Sequence, residues 1–114
     1  MNREKQRWPL AQAQAVAAEL SRALAPGVQR IQVAGSIRRR KAFVGDIELL
    51  VIPHPGQLNL FGNSSGESLE AVVQKLLADG VLAYRLNIRG QRTYGPLNKL
   101  LVHVPSGIPV DLFS

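Results

Sequence analysis

The sequence contains no cysteine among its 114 residues. That absence excludes a disulfide framework, a thiolate zinc site and a cysteine nucleophile, so any bound metal ion has oxygen or imidazole ligands. No apolar run approaches the ~18 residues that a membrane-spanning helix needs, and the N-terminal stretch MNREKQRW lacks the apolar segment of a signal peptide. We therefore expect a cytoplasmic protein with no membrane partner.

Acidic residues are the scarcer charged class. Lys plus Arg number 14 against 8 Asp plus Glu, which gives a net charge of +6 and a pI near 10.5. The hydrophobic fraction of 46% with 19% charged residues is ordinary globular composition. Length and composition predict a single domain over 1–114, whose charge favours polyanionic partners such as nucleotides or nucleic acid.

Hydrophobic periodicity predicts two helices. Apolar residues recur on one helical face between Pro9 and Pro26, and a second apolar stripe covers 69–77. Ser64 with Glu67 matches a capping box at the start of the second helix.

Alternation and β-branched runs predict the strands, which cover residues 30–34, 47–52, 81–88, 98–104 and 108–113. Residues 36–43 are expected to form one or two helical turns, and 53–66 to form a surface loop. The order helix, strand, strand, helix and three strands predicts an α/β (α+β) domain. Its helices are expected to pack on one face of a mixed or antiparallel sheet.

Three acidic residues interrupt segments that are otherwise apolar. Asp46 and Glu48 lie two apart in a strand-like run, so both carboxylates point to the same face. Asp111 stands between apolar neighbours in the last strand. Burying unpaired carboxylates is costly, which favours a cation bound between them. The alternative is that each acid is a strand-end or surface residue without a ligand.

A glycine turn and a basic run precede the first two acids. Gly35-Ser36 is followed at once by four cations, which are Arg38, Arg39, Arg40 and Lys41. Backbone amides, a hydroxyl and guanidinium groups are suited to binding phosphate oxygens. The alternative is a solvated face or a nonspecific nucleic-acid patch, which charged runs commonly form.

The segment from Gly35 to Leu50 resembles the Gly-Ser, Arg-Arg and Gly-Asp-x-Asp signature of the family X DNA polymerases, which include DNA polymerase beta, within the nucleotidyltransferase superfamily. The resemblance covers about 28–114 and implies a palm-like fold. It implies that Asp46 and Glu48 bind two Mg²⁺ or Mn²⁺ ions. It also implies that Asp111 binds the catalytic ion and helps deprotonate a primer 3′-hydroxyl.

The same resemblance implies a nucleotide-binding set of Gly35, Ser36 and Arg39, with Arg38 in support. Arg40 and Lys41 are expected to face nucleic acid instead, as weaker assignments. The implied reaction transfers a nucleotidyl group from a nucleoside triphosphate to DNA or another hydroxyl acceptor, with release of pyrophosphate. A role in DNA repair is implied with it.

Two positions depart from the family pattern. Glu48 stands where Asp is usual, and Pro109 stands where an Arg commonly orients the third acid. Arg85, Arg89 and Arg92 are the candidates to replace that Arg. No thumb or lyase domain is visible in the sequence, so a partner chain or a missing C-terminal region is expected to supply the thumb.

Two other functions remain open. Small transferases that resemble antitoxin-type nucleotidyltransferases modify protein or RNA with a similar Gly-Ser and paired acids, although the spacing of Arg-Arg to Gly-Asp favours the polymerase branch. The third possibility is a noncatalytic module that binds a nucleotide or nucleic acid. Glu48, Pro109 and the missing thumb favour that third interpretation.

Overall fold

A computed structural model of the chain describes residues 6–53, 68–87, 89–95 and 97–114. In chain order its elements are β1 (Trp8–Pro9), α1 (Leu10–Leu24), a 3₁₀ turn (Ala25–Gly27), β2 (Val28–Ala34), α2 (Gly35–Arg38), β3 (Phe43–Val44), β4 (Ile47–Pro53), α3 (Leu69–Ala78), β5 (Leu82–Tyr84), β6 (Asn98–His103) and β7 (Ile108–Phe113). In the part of the chain so described, no helix is long and apolar enough to cross a membrane.

A five-stranded sheet organises the fold, with strand order β2-β4-β7-β6-β5. The two central strands, β4 and β7, run parallel, and every other neighbouring pair is antiparallel. This mixed sheet with its helices confirms the predicted α+β class. β1 and β3 form a separate two-stranded pair, which the sequence did not predict because two residues are too short to show a period of two.

The helices α1 and α3 cover one face of the sheet. Buried residues of α1 and α3 join alternate residues of the strands in one core, whose fully buried members include Leu20, Leu24, Ile47, Leu49 and Leu101. Intervening strand residues point the other way, so Leu50 and Ile52 are exposed. The opposite face of β4 and β7 carries Glu48 and Asp111, and neither α1 nor α3 covers it.

The start of α3 differs from the capping-box prediction. Ser68 is the N-cap, and its hydroxyl accepts a hydrogen bond from the Ala71 backbone N–H at 3.0 Å. Ser64 and Glu67 lie outside the described residues, as does the predicted loop after Pro53. A serine next to the apolar stripe satisfies a free N–H of the first turn directly, which explains its role as the cap.

The strand predicted at 81–88 is shorter in the structure, ending at Tyr84. The chain turns soon afterwards, because the Asn87 side-chain oxygen accepts hydrogen bonds from the backbone N–H groups of Arg89 at 2.9 Å and Gln91 at 3.0 Å. Such Asx turns replace ladder hydrogen bonds with local ones and end a strand. The two following strand predictions match β6 and β7 to within one residue.

Candidate functional site

Three carboxylates converge on the sheet face opposite α1 and α3. Glu48 in β4 is the register partner of Asp111 in the parallel neighbour β7, and Asp46 lies two residues before Glu48 on the same face. One ligand oxygen from each of Asp46, Glu48 and Asp111 lies within 4.8 Å of the other two, and all three residues are half-buried. The pairing of the two central strands thus brings together acids that are far apart in sequence.

Gly35 forms a wall of this acidic cluster. Its φ is +66°, and a Cβ atom added there would lie 2.7 Å from both Cδ and Oε2 of Glu48. A side chain there would force the Glu48 carboxylate to shift, and a positive φ is itself costly for residues other than glycine. Glycine at this position therefore permits the close approach of α2 to the Glu48 carboxylate.

A polar cavity of about 290 Å³ opens beside Asp46 and Glu48. Its lining residues are Arg7, Ser36, Lys41, Phe43, Gly45, Asp46 and Glu48. Cations, a hydroxyl and two carboxylates thus share one opening. That arrangement can hold an anionic group on the cationic side while the carboxylates hold a cation on the other.

Arg7 lines the cavity because β1, which directly follows it, pairs with β3. The pairing of Trp8 with Val44 fixes β1 against β3, and the Leu10 N–H donates to the Ala42 carbonyl at 3.0 Å. Sequence reasoning missed Arg7, because nothing in its local pattern predicts the two-residue strand that follows it. Its position directly before Trp8-Pro9 and a helix was the only signal available.

The basic run after Gly35 divides between the cavity and the solvent. Lys41 lines the cavity together with Ser36, whereas Arg38 and Arg40 are exposed outside its lining. The Arg39 Nη2 atom lies 3.4 Å from Ser36 Oγ, so this guanidinium reaches the cavity edge. Of the predicted phosphate ligands, Ser36 is thus at the cavity and Arg39 at its edge, while Arg38 is not among the lining residues.

The family described as DNA polymerase beta palm matches residues 7–101. The chain belongs to this family. The match covers the Gly-Ser turn, the basic run and the first two acids, while Asp111 follows the matched range and joins them through strand pairing. No curated protein matches the sequence. The protein is accordingly a nucleotidyltransferase-like polymerase palm, a class that typically uses metal ions.

The donor set of this palm fits divalent cations that prefer oxygen ligands. All three converging ligands are carboxylates, and no cysteine is present to favour a softer metal. Mg²⁺ and Mn²⁺ are held in proteins by such oxygen sets together with phosphate oxygens and water. The missing Cβ at Gly35 preserves the space that the Glu48 carboxylate needs. Asp46, Glu48 and Asp111 are thus the residues that would hold the ions.

Arg85 is the guanidinium that contacts the third acid. Its Nη2 atom lies 2.5 Å from Asp111 Oδ1, and its Nη1 atom donates to the Leu101 carbonyl at 3.1 Å. Arg92 instead places its guanidinium 4.2 Å from the centre of the Tyr84 ring, and Arg89 is exposed. Among the three arginines considered from sequence, the structure therefore selects Arg85.

Two further polar clusters of the palm are structural. Tyr94 donates to Glu70 at 2.9 Å, and burial raises the pKa of its hydroxyl well above the ordinary value. Buried His103 lies 2.6 Å from Glu19 and 2.7 Å from Ser106, which ties the β6–β7 turn to α1. Each cluster includes a residue of a helix that covers the sheet, Glu70 of α3 or Glu19 of α1.

Proposed function

We propose that this palm is a nucleotidyltransferase that transfers a nucleotidyl group from a nucleoside triphosphate to a hydroxyl acceptor and releases pyrophosphate. The convergence of three carboxylate oxygens within 4.8 Å beside a cationic cavity is the observation that supports it. In this reaction the acceptor oxygen forms a bond to the α-phosphorus, and the bond from that phosphorus to the oxygen of the β-phosphate breaks.

The three acids have different roles around the reacting phosphorus. Asp46 and Glu48 would provide ligands for both divalent ions, and Asp111 would provide a ligand for the catalytic one. Two Mg²⁺ or Mn²⁺ ions held there would supply charge stabilisation for the entering and leaving oxygens of an in-line displacement. The carboxylate of Asp111 orients the acceptor hydroxyl and accepts its proton as the new bond forms.

The cavity residues hold the triphosphate tail. The Ser36 hydroxyl and the Arg39 guanidinium at the cavity edge bind β- and γ-phosphate oxygens, with Arg38 in support. Arg7 and Lys41 line the same cavity and add positive charge next to the leaving pyrophosphate. Arg40 is left exposed to contact nucleic acid.

The acceptor is proposed to be DNA at a primer–template end, in keeping with the polymerase family. The net charge of +6 supports a polyanionic partner. Residues 1–114 are proposed to act as one domain, with a partner chain or further segment providing the thumb that holds the base and template. A role in DNA repair is part of the same proposal, since the proposed acceptor is DNA.

A pyrophosphate-release assay tests the proposal. The purified chain is incubated with Mg²⁺ or Mn²⁺, a triphosphate mixture and one acceptor at a time: primer–template, single-stranded DNA, RNA or protein. Wild type is compared with Asp111→Asn, which removes a charge and a ligand while preserving shape. We expect product with the DNA acceptor and a loss in the variant greater than the ~10–100-fold cost of an outer-shell change.

The other outcomes have definite meanings. Pyrophosphate release with the protein or RNA acceptor alone would replace the DNA polymerase proposal with an antitoxin-type transferase. Release of pyrophosphate under no condition, with triphosphate binding that survives Asp111→Asn, would identify a noncatalytic binding module.

A further inference from the structure

We propose that Arg85 is the positioning residue for Asp111. Its guanidinium, which comes from the end of β5, takes the place of the arginine that the family pattern has at position 109 in β7. The catalytic part of this inference rests on the proposed function, whereas its metal-binding part does not. Arg85 contacts the acidic cluster at Asp111, so its action is through that carboxylate.

Two anchors fix the Arg85 guanidinium. Its Nη2 atom contacts Asp111 Oδ1 at 2.5 Å, while Nη1 donates to the Leu101 carbonyl at 3.1 Å. The backbone N–H of Arg85 donates to the Leu100 carbonyl at 3.1 Å, which places the start of the side chain against β6. A guanidinium held at both ends restricts the rotamer of its carboxylate partner.

The strand order explains how Arg85 reaches the site. β6 lies between β5 and β7, and Leu100 in β6 is the register partner of Asp111. Arg85 directly follows β5, so its long side chain crosses β6 to reach the acid. Side chains on the Arg85 and Asp111 pair are 27% and 15% exposed, which shelters the contact from full solvent screening.

The contact between Arg85 and Asp111 counteracts charge repulsion within the acidic cluster. Three carboxylates within 4.8 Å of one another repel when no cation lies between them, and Asp111 can relieve the repulsion by rotating away. The Arg85 guanidinium opposes that rotation and lowers the local negative charge. The contact engages Oδ1, and a carboxylate has a second oxygen with which to bind a cation.

A substitution at position 109 can test whether another arginine replaces Arg85. Pro109 lies two residues before Asp111 in β7, so the period of the strand puts both side chains on the same face. Proline supplies no cationic group there. An arginine at position 109 would approach Asp111 from its own strand and could take over from Arg85.

The experiment titrates the full chain with Mn²⁺ and follows free Mn²⁺ by electron paramagnetic resonance. Wild type is compared with Arg85→Ala, Arg85→Gln and Arg85→Ala combined with Pro109→Arg. Exposed Arg89→Ala is the matched control for loss of a positive charge, and Pro109→Ala in the Arg85→Ala background controls for loss of the proline. Thermal melts followed by circular dichroism establish that each variant is folded.

We expect both Arg85 variants to bind Mn²⁺ roughly three- to tenfold more tightly, because a positive charge next to the carboxylates has been removed. Arg89→Ala should leave the affinity unchanged. Pro109→Arg should return the affinity toward the wild-type value, whereas Pro109→Ala should not. In the pyrophosphate assay, turnover should fall ~10–100-fold in Arg85→Ala and recover with Pro109→Arg.

Mn²⁺ affinity that is unchanged or weaker in folded Arg85→Ala and Arg85→Gln would overturn the inference and leave Arg85 as a link to Leu101 alone. Failure of Pro109→Arg to restore both readouts in a folded protein would do the same. The expected Mn²⁺ pattern in a wild type that releases no pyrophosphate would support the role of Arg85 and reject the proposed reaction. The two failures are therefore distinguishable.

Discussion

Gly35 lies so close to Glu48 that its missing side chain shapes the acidic cluster. A Cβ at this position would meet the Glu48 carboxylate at 2.7 Å, and φ is +66°. Gly90 has a similar φ of +75°, yet a Cβ there meets nothing within 4 Å in the part of the chain that the structure describes. The two glycines thus share a backbone requirement and differ in their neighbours.

Gly35→Ala is predicted to impair the site and Gly90→Ala to spare it. Both changes should lower the free energy of unfolding by about 1 kcal/mol through backbone strain, with more at Gly35 because Glu48 must move. Only Gly35→Ala should weaken Mn²⁺ binding, by roughly tenfold or more. Urea unfolding and Mn²⁺ titration measure the two effects. Equal Mn²⁺ affinity in the two variants would contradict the close approach of Gly35 to Glu48.

At the scale of elements, Ser68 holds the first turn of α3 through its bond to the Ala71 N–H. Ser68→Ala is predicted to cost about 1 kcal/mol of stability in urea unfolding. Ser21→Ala is the control, because the Ser21 hydroxyl bonds only to the Ala17 carbonyl of its own helix in the contacts shown. That control should change stability by less than about 0.5 kcal/mol. Similar losses in both variants would argue against Ser68 as the cap.

Lys99 of β6 gives the stability of the palm a pH dependence. Burial lowers the pKa of its ammonium from 10.5, although the charge of Glu70 opposes the shift. The unfolded chain therefore binds the proton more strongly than the native protein, so stability rises as pH increases from the lowered pKa toward 10.5. Relative to Lys99→Met, wild type should gain stability across that range in urea unfolding. A constant difference between the two proteins would contradict the burial of the charge.

Long elements were the most predictable from the sequence. The apolar stripes of α1 and α3 and the runs of β4, β6 and β7 carry many periodic residues, so packing against the core agrees with local pattern. The pairing β1–β3 was missed because it involves two residues on each side, and Arg7 was missed with it. Short pairings depend on tertiary contacts that no local pattern encodes.

The candidate site was predictable where chemistry and spacing coincide. Asp46, Glu48 and Asp111 stand out because carboxylates are costly in apolar strands, and the structure brings them together. The choice of Arg85 over Arg89 and Arg92 was not predictable. It depends on β5 lying two strands from β7 and on the turn at Asn87, which carries the other arginines away.

At the scale of the whole molecule, the excess of positive charge accompanies a cluster of exposed cations at 38–40. Binding of a single-stranded DNA oligonucleotide is predicted to weaken linearly with salt on logarithmic axes, with a slope of about 0.7 for each phosphate contacted. Replacing Arg38, Arg39 and Arg40 by alanine should reduce that slope by up to about 2. Fluorescence anisotropy at several salt concentrations measures the slope.

Arg22, exposed on α1, is the control for this charge removal. Arg22→Ala should leave the salt slope unchanged, since α1 covers the opposite face of the sheet from the acids. A salt slope that is the same in wild type and the triple variant would show that DNA does not contact the basic run. A decrease in Arg22→Ala equal to one third of that in the triple variant would show the same.

Metal-dependent triphosphate binding tests the central claim most directly. The chain is titrated with a nonhydrolysable deoxynucleoside triphosphate in Mg²⁺, in Mn²⁺ and without either, and wild type is compared with Asp46→Asn plus Glu48→Gln. Asp79→Asn, at the exposed end of α3, is the control for a lost carboxylate. Removing two negative charges would by itself strengthen binding of an anion, so a loss of binding reports on the metal site.

We predict tight binding by wild type and Asp79→Asn only when a divalent ion is present, and its loss in the double variant. Triphosphate binding that the double substitution leaves unchanged, or that neither metal supports, would contradict the assignment of Asp46 and Glu48.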